Sequence, residues 1–337
     1  MKIDEKNITR KEKISVRYFF EHASKIFDIK SFTGEIGFDK RFITQPNLHR
    51  PGLALAGFFK LFSYNRVQTF GNTEISYLKG IAPEKRREVF IRLFNYNLPC
   101  IVITNGVEPF PELLELALEK EVPIFGTDLD TTKSSFLIVD FLDDIFASQL
   151  SIHASFVDVY GVGMLFVGKS GIGKSEVALD LVERGHRLVA DDVVILTKKG
   201  EGILMGAGTK LTNHFMEIRG IGIIDVRSMF GVRAVRYQKR LEVIIELEIW
   251  NPDSEYTRTG LDDASLPIMG VDIPYVRLPI VPGKNITVVA EVIALNYLLK
   301  HYGYDAAKVL TEKIQKRMEK KGEFDNTSVN YFEHDFE

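Results

Sequence analysis

The chain has 337 residues, of which 45% are hydrophobic and 26% charged, with a net charge of −3. That length suits two domains with separate cores, the charge balance excludes a strongly basic nucleic-acid binder, and no apolar run approaches the ~18 residues of a membrane span. A single cysteine, Cys100, excludes an internal disulfide framework and a cysteine-rich metal site.

The polar start, Met1 to Asn7, lacks the apolar centre of a signal peptide, so the expected location is the cytoplasm. Pro99 to Thr104 reads as a buried strand, Glu108 to Glu121 as a helix, Val122 to Gly126 as a strand and Thr131 to Ala147 as a helix. Strand and helix alternating at this spacing predict a small parallel α/β domain over 1–145. Its Thr104-Asn105-Gly106 turn, directly after a strand, suits either a ligand crevice or a tight Asn-Gly turn, and the turn is the favoured reading. A second domain is assigned to 146–322 and a polar, acidic tail to 323–337.

The second domain carries the chemistry. Met164 to Val167 reads as a strand, and Ser175 to Val182 as a helix. Between them Gly168, Lys169, Ser170, Gly171, Ile172, Gly173, Lys174 and Ser175 fit the phosphate-loop pattern G-x-x-x-x-G-K-[ST] in full. Glycines let the backbone curl so that successive N–H groups face phosphate oxygens, and the helix N-terminus adds its positive end. Lys174 reaches the β/γ-phosphates, and the Ser175 hydroxyl is placed to hold Mg²⁺.

His186 to Leu196 reads as one apolar strand interrupted by Asp191 and Asp192. A Mg-nucleotide site needs a carboxylate near the loop serine. On a strand, adjacent residues face opposite sides, so one aspartate is available to a metal and the other to a substrate proton. The interval from Ser175 to Asp192 is shorter than in most phosphate-loop ATPases and GTPases, which suggests a different nucleotide-binding architecture.

Met216, Glu217, Ile218, Arg219, Gly220, Ile221, Gly222, Ile223, Ile224 and Asp225 read as a strand, a glycine turn and a second strand. Glu217 and Arg219 share a face; a metal ligand beside a phosphate-directed guanidinium and a surface salt bridge both satisfy that spacing. From Lys210 to Arg240 there are seven Lys/Arg against two acids, a patch that suits phosphates, an acidic partner or a solvated face. Strands are expected at 203–205, 222–226, 241–249 and 275–280, and helices over 286–299 and 306–320.

These motifs together resemble the HPr kinase/phosphorylase family. The phosphate loop, the Asp191-Asp192 pair and the M-E-I-R-G-I-G-I-I-D-V stretch at 216–226 carry the likeness. Tyr256 to Asp262, Val281 to Asn285, Arg50 to Leu55 and Gly71 to Glu74 extend it over nearly the whole chain. The resemblance implies an α/β fold: an N-terminal Rossmann-like parallel domain, then a catalytic domain with a phosphoenolpyruvate-carboxykinase-like phosphate-loop core. It implies a bifunctional enzyme and regulator of carbon metabolism. Such an enzyme phosphorylates a serine of the phosphocarrier protein HPr with ATP or pyrophosphate, using Mg²⁺. It also removes that phosphate by phosphorolysis, with inorganic phosphate attacking and pyrophosphate leaving. A homohexamer that binds neither nucleic acid nor membrane is expected.

Roles follow by position. The resemblance makes His153 the catalytic histidine, Asp192 the general base and, in reverse, the acid, with Asp191 assisting; the pair's roles are exchangeable at this level. Lys174 and Arg258 stabilise charge on the transferring phosphoryl group, and Ser175 and Glu217 hold the metal. Pro279, Ile280, Val281, Pro282, Gly283 and Lys284 match the segment tied to dephosphorylation. Lys284 stands where the family has arginine, which keeps the charge and loses the bidentate fork. A small-molecule kinase on the same core and a non-catalytic nucleotide sensor are the alternatives. Retention of Asp191, Asp192, Glu217 and Arg258 argues against the sensor, because sensing needs no base.

Overall fold

The computed structural model describes residues 7–200, 202–209, 213–251, 264–281 and 283–319. Arg258, Pro282 and the polar tail lie outside the described residues. The chain divides into two units, Asn7–Leu150 with Thr197–Gly200, and Ser151–Leu196 with the described residues after 201. No helix among the described residues is long and apolar enough to cross a membrane.

The first unit runs β1 (Ile8–Thr9), β2 (Ile14–Ser15), α1 (Val16–Ala23), β3 (Lys30–Ser31), β4 (Phe42–Ile43), β5 (Leu48–His49) and α2 (Gly52–Leu55). It continues with β6 (Val67–Phe70), α3 (Asn72–Lys79), α4 (Pro83–Phe94), β7 (Ile101–Ile103), α5 (Pro111–Glu119), β8 (Ile124–Gly126) and α6 (Thr131–Phe146). Its sheet has the order β3-β8-β7-β6-β5; β5 to β8 are parallel and β3 is an antiparallel edge. Every residue of β6, β7 and β8 is buried, as a sheet covered on both faces requires. One face packs under Phe90, Leu93 and Leu113, the other under Phe19, Ile138 and Leu142. The predicted α/β class holds here, and α5 is shorter than its predicted span because Pro111 starts it at the first helical turn.

The second unit runs β9 (Gln149–His153), β10 (Ser155–Val159), β11 (Val162–Gly168), α7 (Lys174–Glu183), β12 (Arg187–Ala190), β13 (Val193–Lys199) and β14 (Ile203–Gly208), with the first two residues of β9 and the last three of β13 counted in the first unit. There follow β15 (Phe215–Ile218), β16 (Gly222–Asp225), α8 (Val226–Phe230), β17 (Gln238–Arg240), β18 (Val243–Ile249), β19 (Ser265–Ile268), β20 (Val271–Ile280), α9 (Ile286–His301) and α10 (Ala306–Glu319). The central sheet has the order β12-β10-β11-β18-β20-β19. Within it β11, β18 and β20 are parallel, so their carboxyl ends share one edge.

Alternation along β11 sends Met164 and Phe166 to the core shared with Ala178, Leu181 and Val182 of α7. Leu165 and Val167 are equally buried on the other face. Each such side chain contributes about 1.5–3 kcal/mol by leaving water, which fixes the strand on which the loop is mounted.

One expectation is corrected. Residues 186–196 are not one interrupted strand: β12 and β13 belong to different sheets, and Asp191-Asp192 form the bend between them. Asp192 takes φ 66°, the left-handed region that aspartate tolerates through short-range hydrogen bonding. The bend is closed by Val193 N–H to Asp191 C=O and by Ala154 N–H to Asp192 C=O.

Candidate active site

The loop leaves β11 at Gly168 and enters α7 at Gly173, whose φ of 103° a side chain rarely adopts. A Cβ at Gly168 would stand 2.5 Å from the Leu247 carbonyl oxygen, so the neighbouring strand demands glycine there. Ile172 packs against the sheet–helix core and anchors the loop from inside. The buried Lys174 directs its Nζ at the Gly168 and Lys169 carbonyls, both at 3.4 Å.

A cleft of ≈ 160 Å³ opens over this loop. Its described lining is Ser170, Gly171, Gly173, Lys174, Ser175 and Glu176 from the loop and α7, with His153, Asp191, Asp192, Glu217 and Arg219 facing them. The structure therefore brings together residues from four separate stretches of chain. The Arg219 guanidinium lies against the loop, 2.7 Å from where a Gly171 Cβ would stand. On the β15–β16 hairpin Met216 and Ile218 enter the core, which turns the alternate positions Glu217 and Arg219 outward to the cleft. Asp225 instead caps α8, accepting from Ser228 N–H at 3.1 Å.

The two aspartates occupy different environments. Asp191 is buried; its Oδ1 accepts from Ser155 Oγ at 2.5 Å and from Ser175 Oγ at 3.1 Å. Burial pushes its carboxyl above the usual carboxylate range, against the pull of those two hydroxyls. Asp192 is 61% exposed in its side chain and meets His153 Nδ1 at 2.8 Å. Ser155, which fixes Asp191, was not singled out by sequence; only its position two residues after His153 hints at it.

Asp191 Oδ2 is buried with no hydrogen-bond partner among the described residues. An unpaired buried carboxylate oxygen next to the Ser175 hydroxyl, in a cleft that also contains Glu217, offers hard oxygen donors that fit Mg²⁺. Among the described residues no group of three or more His, Cys, Asp or Glu forms a closed metal cage. Mg²⁺ bound through one or two carboxylates, water and phosphate needs none.

The sequence-assigned segment Pro279 to Lys284 ends β20 and leads to α9, whose cap Asn285 accepts from Val288 N–H. The parallel register puts the end of β20 on the same sheet edge as the loop, but its described residues do not line the cleft.

Strand, glycine loop, helix and a facing acid pair define a phosphate-loop α/β protein. The family model described as HPr Serine kinase C-terminal domain matches residues 144–314, and that described as HPr Serine kinase N terminus matches 14–142. An HPr kinase/phosphorylase of Chloroherpeton thalassium is 54% identical over 332 residues, 97% of this chain and 98% of its own. One from Prosthecochloris aestuarii is 52% identical, covering 94% of this chain and 93% of its own. A solved Hpr(Ser) kinase/phosphatase from Coxiella burnetii is 34% identical over 48% of this chain and 98% of its own, with a TM-score of 0.43. The chain belongs to the HPr kinase/phosphorylase family.

Proposed function

We propose that this chain transfers the γ-phosphoryl group of ATP to a serine of HPr and reverses the modification by phosphorolysis. The observation that carries the reading is the division of labour between the aspartates. Asp192 stands exposed at the cleft with His153 on its carboxylate, within reach of an incoming hydroxyl. Asp191 is buried on the loop serine.

In the forward step Asp192 accepts the serine proton as the serine oxygen attacks the γ-phosphorus, and the bond to the ADP oxygen breaks. In the reverse step an oxygen of inorganic phosphate attacks the phosphoserine phosphorus. The bond to the serine oxygen breaks, Asp192 returns its proton to that oxygen, and pyrophosphate leaves. His153 orients the Asp192 carboxylate. Lys174, Arg219 and Arg258 balance charge on the phosphoryl group. Ser175, Asp191 and Glu217 are the residues that would hold Mg²⁺, which supplies charge neutralisation on the phosphate oxygens. Pyrophosphate serves as an alternative donor on the same loop.

The relatives' names and the near-complete overlap support HPr as the partner. With this reading go a catalytic domain at 146–322, a Rossmann-like domain at 1–145, a tail at 323–337, a homohexamer, a cytoplasmic location and a role in carbon regulation.

Transfer from ATP to purified HPr, followed by gel mobility, tests the reading; inorganic phosphate is then added and pyrophosphate is measured. Lys174→Ala is expected to abolish both directions, and Asp192→Asn to lower both by about 100-fold or more while ATP titration still saturates. Release of inorganic phosphate alone would indicate hydrolysis and remove phosphorolysis. Near-normal transfer by Asp192→Asn would move the base to another group.

A further inference from the structure

Three consecutive residues, from the end of β9 to the start of β10, each hold the aspartate bend. His153 Nδ1 meets Asp192 Oδ1 at 2.8 Å, and Ala154 N–H donates to the Asp192 carbonyl at 3.1 Å. Ser155 Oγ donates to Asp191 Oδ1 at 2.5 Å. The first two contacts serve Asp192, the residue assigned to the proton. The third serves Asp191.

Ser155 breaks the pattern of its strand. Alternation along β10 puts positions 155, 157 and 159 on one face. Val157 and Val159 pack there against Ala178, Leu181 and Val182 of α7. Ser155 is completely buried in the same stripe, where a hydroxyl is costly unless it is hydrogen-bonded. It reaches the same carboxylate oxygen as Ser175 in the first turn of that helix.

Two donors from different elements, β10 and α7, therefore fall on Asp191 Oδ1. A carboxylate's terminal torsion is soft, and two such contacts fix it. They leave Oδ2, buried and without a hydrogen-bond partner among the described residues, as the free acceptor. Of the two donors Ser155 is the closer, at 2.5 Å against 3.1 Å for Ser175. The Ser175 oxygen is itself assigned to the metal. Ser155 is the donor with no other task in the cleft.

We propose that Ser155 sets the affinity of the cleft for its divalent cation, as a positioning residue that holds Asp191 by Oδ1 and leaves Oδ2 to the metal. The inference rests on the phosphoryl-transfer reading of the cleft and concerns metal binding alone. Mn²⁺ is the probe, titrated into the full chain without nucleotide, with the free ion counted by electron paramagnetic resonance. Ser155→Thr and Ser155→Val share one side-chain shape and differ in the hydroxyl. Ser155→Val is expected to bind Mn²⁺ about tenfold or more weakly than the parent, and Ser155→Thr within about threefold of it. ATP binding in EDTA is expected to be the same in both, because the loop amides and Lys174 do not touch Ser155. The Mg²⁺ needed for half-maximal transfer to HPr is expected to rise about tenfold in Ser155→Val, with the rate at saturating Mg²⁺ within about threefold of the parent.

Equal Mn²⁺ affinity in the two variants overturns the role of the hydroxyl. Weaker ATP binding in EDTA by Ser155→Val than by Ser155→Thr makes Ser155 a support of the loop and overturns the inference as well. If the added methyl groups keep both variants from folding, the same Mn²⁺ count on Ser155→Ala against the parent decides, with about a tenfold loss expected and equal affinity overturning the role. A failure of phosphorolysis appears in the reaction product and a failure of this inference in the metal count, so the two are separable.

Discussion

Burial raises the Asp191 carboxyl above its ordinary value of 3.8, and the sign of that shift has a consequence for stability. A carboxyl with a raised folded pKa favours the protonated fold. Ionising it therefore costs stability: the cost is absent below about pH 3.8, grows as the pH rises above that value, and is complete above the raised folded value. Asp191→Asn removes the charge and keeps an acceptor for Ser155. At pH 7 without added metal it is expected to raise the melting temperature by about 2–4 °C while lowering phosphoryl transfer by about 10–100-fold. Thermal melts at pH 7 and pH 4 check this, with the gain shrinking at the lower pH. A variant that is less stable at pH 7 would mean the Ser155 and Ser175 bonds outweigh the buried charge.

At the scale of elements, α7 carries the loop at one end and is tied to α9 along its length. Asp180 accepts from Thr287, and Arg184 and His186 share Glu291. The Arg184 guanidinium first, and then His186, hold the Glu291 carboxyl below its usual 4.5. A depressed carboxyl stabilises the fold fully above its unfolded value, and that stability is lost as the pH falls through the folded one. Glu291→Gln is therefore expected to lower the melting temperature at pH 7 by about 4 °C, with the difference from the parent closing below pH 4.5. Equal melting temperatures at pH 7 would mean the clamp contributes no net stability. The pattern of β15 was legible in sequence, since alternation alone turns Glu217 and Arg219 away from Met216 and Ile218. The clamp was not, because His186 and Glu291 are far apart in the chain and neither has a motif around it.

For the whole molecule, every described residue lining the cleft falls between 153 and 219, inside the second unit. A fragment starting at residue 144, where the C-terminal family match begins, is expected to phosphorylate HPr within about tenfold of the full chain. Loss of transfer by a folded fragment, judged by circular dichroism, would show that the first unit contributes to the reaction.

The amino-acid sequence by itself determined the α/β class, the loop from Gly168 to Ser175, the strand–turn–strand at 216–225 and the family. These are local: a glycine pattern, a period of two and a short spacing each act within a few residues. Only the tertiary structure decided how Asp191 and Asp192 differ. On one continuous strand they would face opposite sides, but the change of sheet between β12 and β13 places a left-handed bend there. That bend buries one carboxylate on Ser155 and Ser175 and exposes the other to His153. Long-range strand pairing sets which residues meet across such a bend, and no local pattern encodes it.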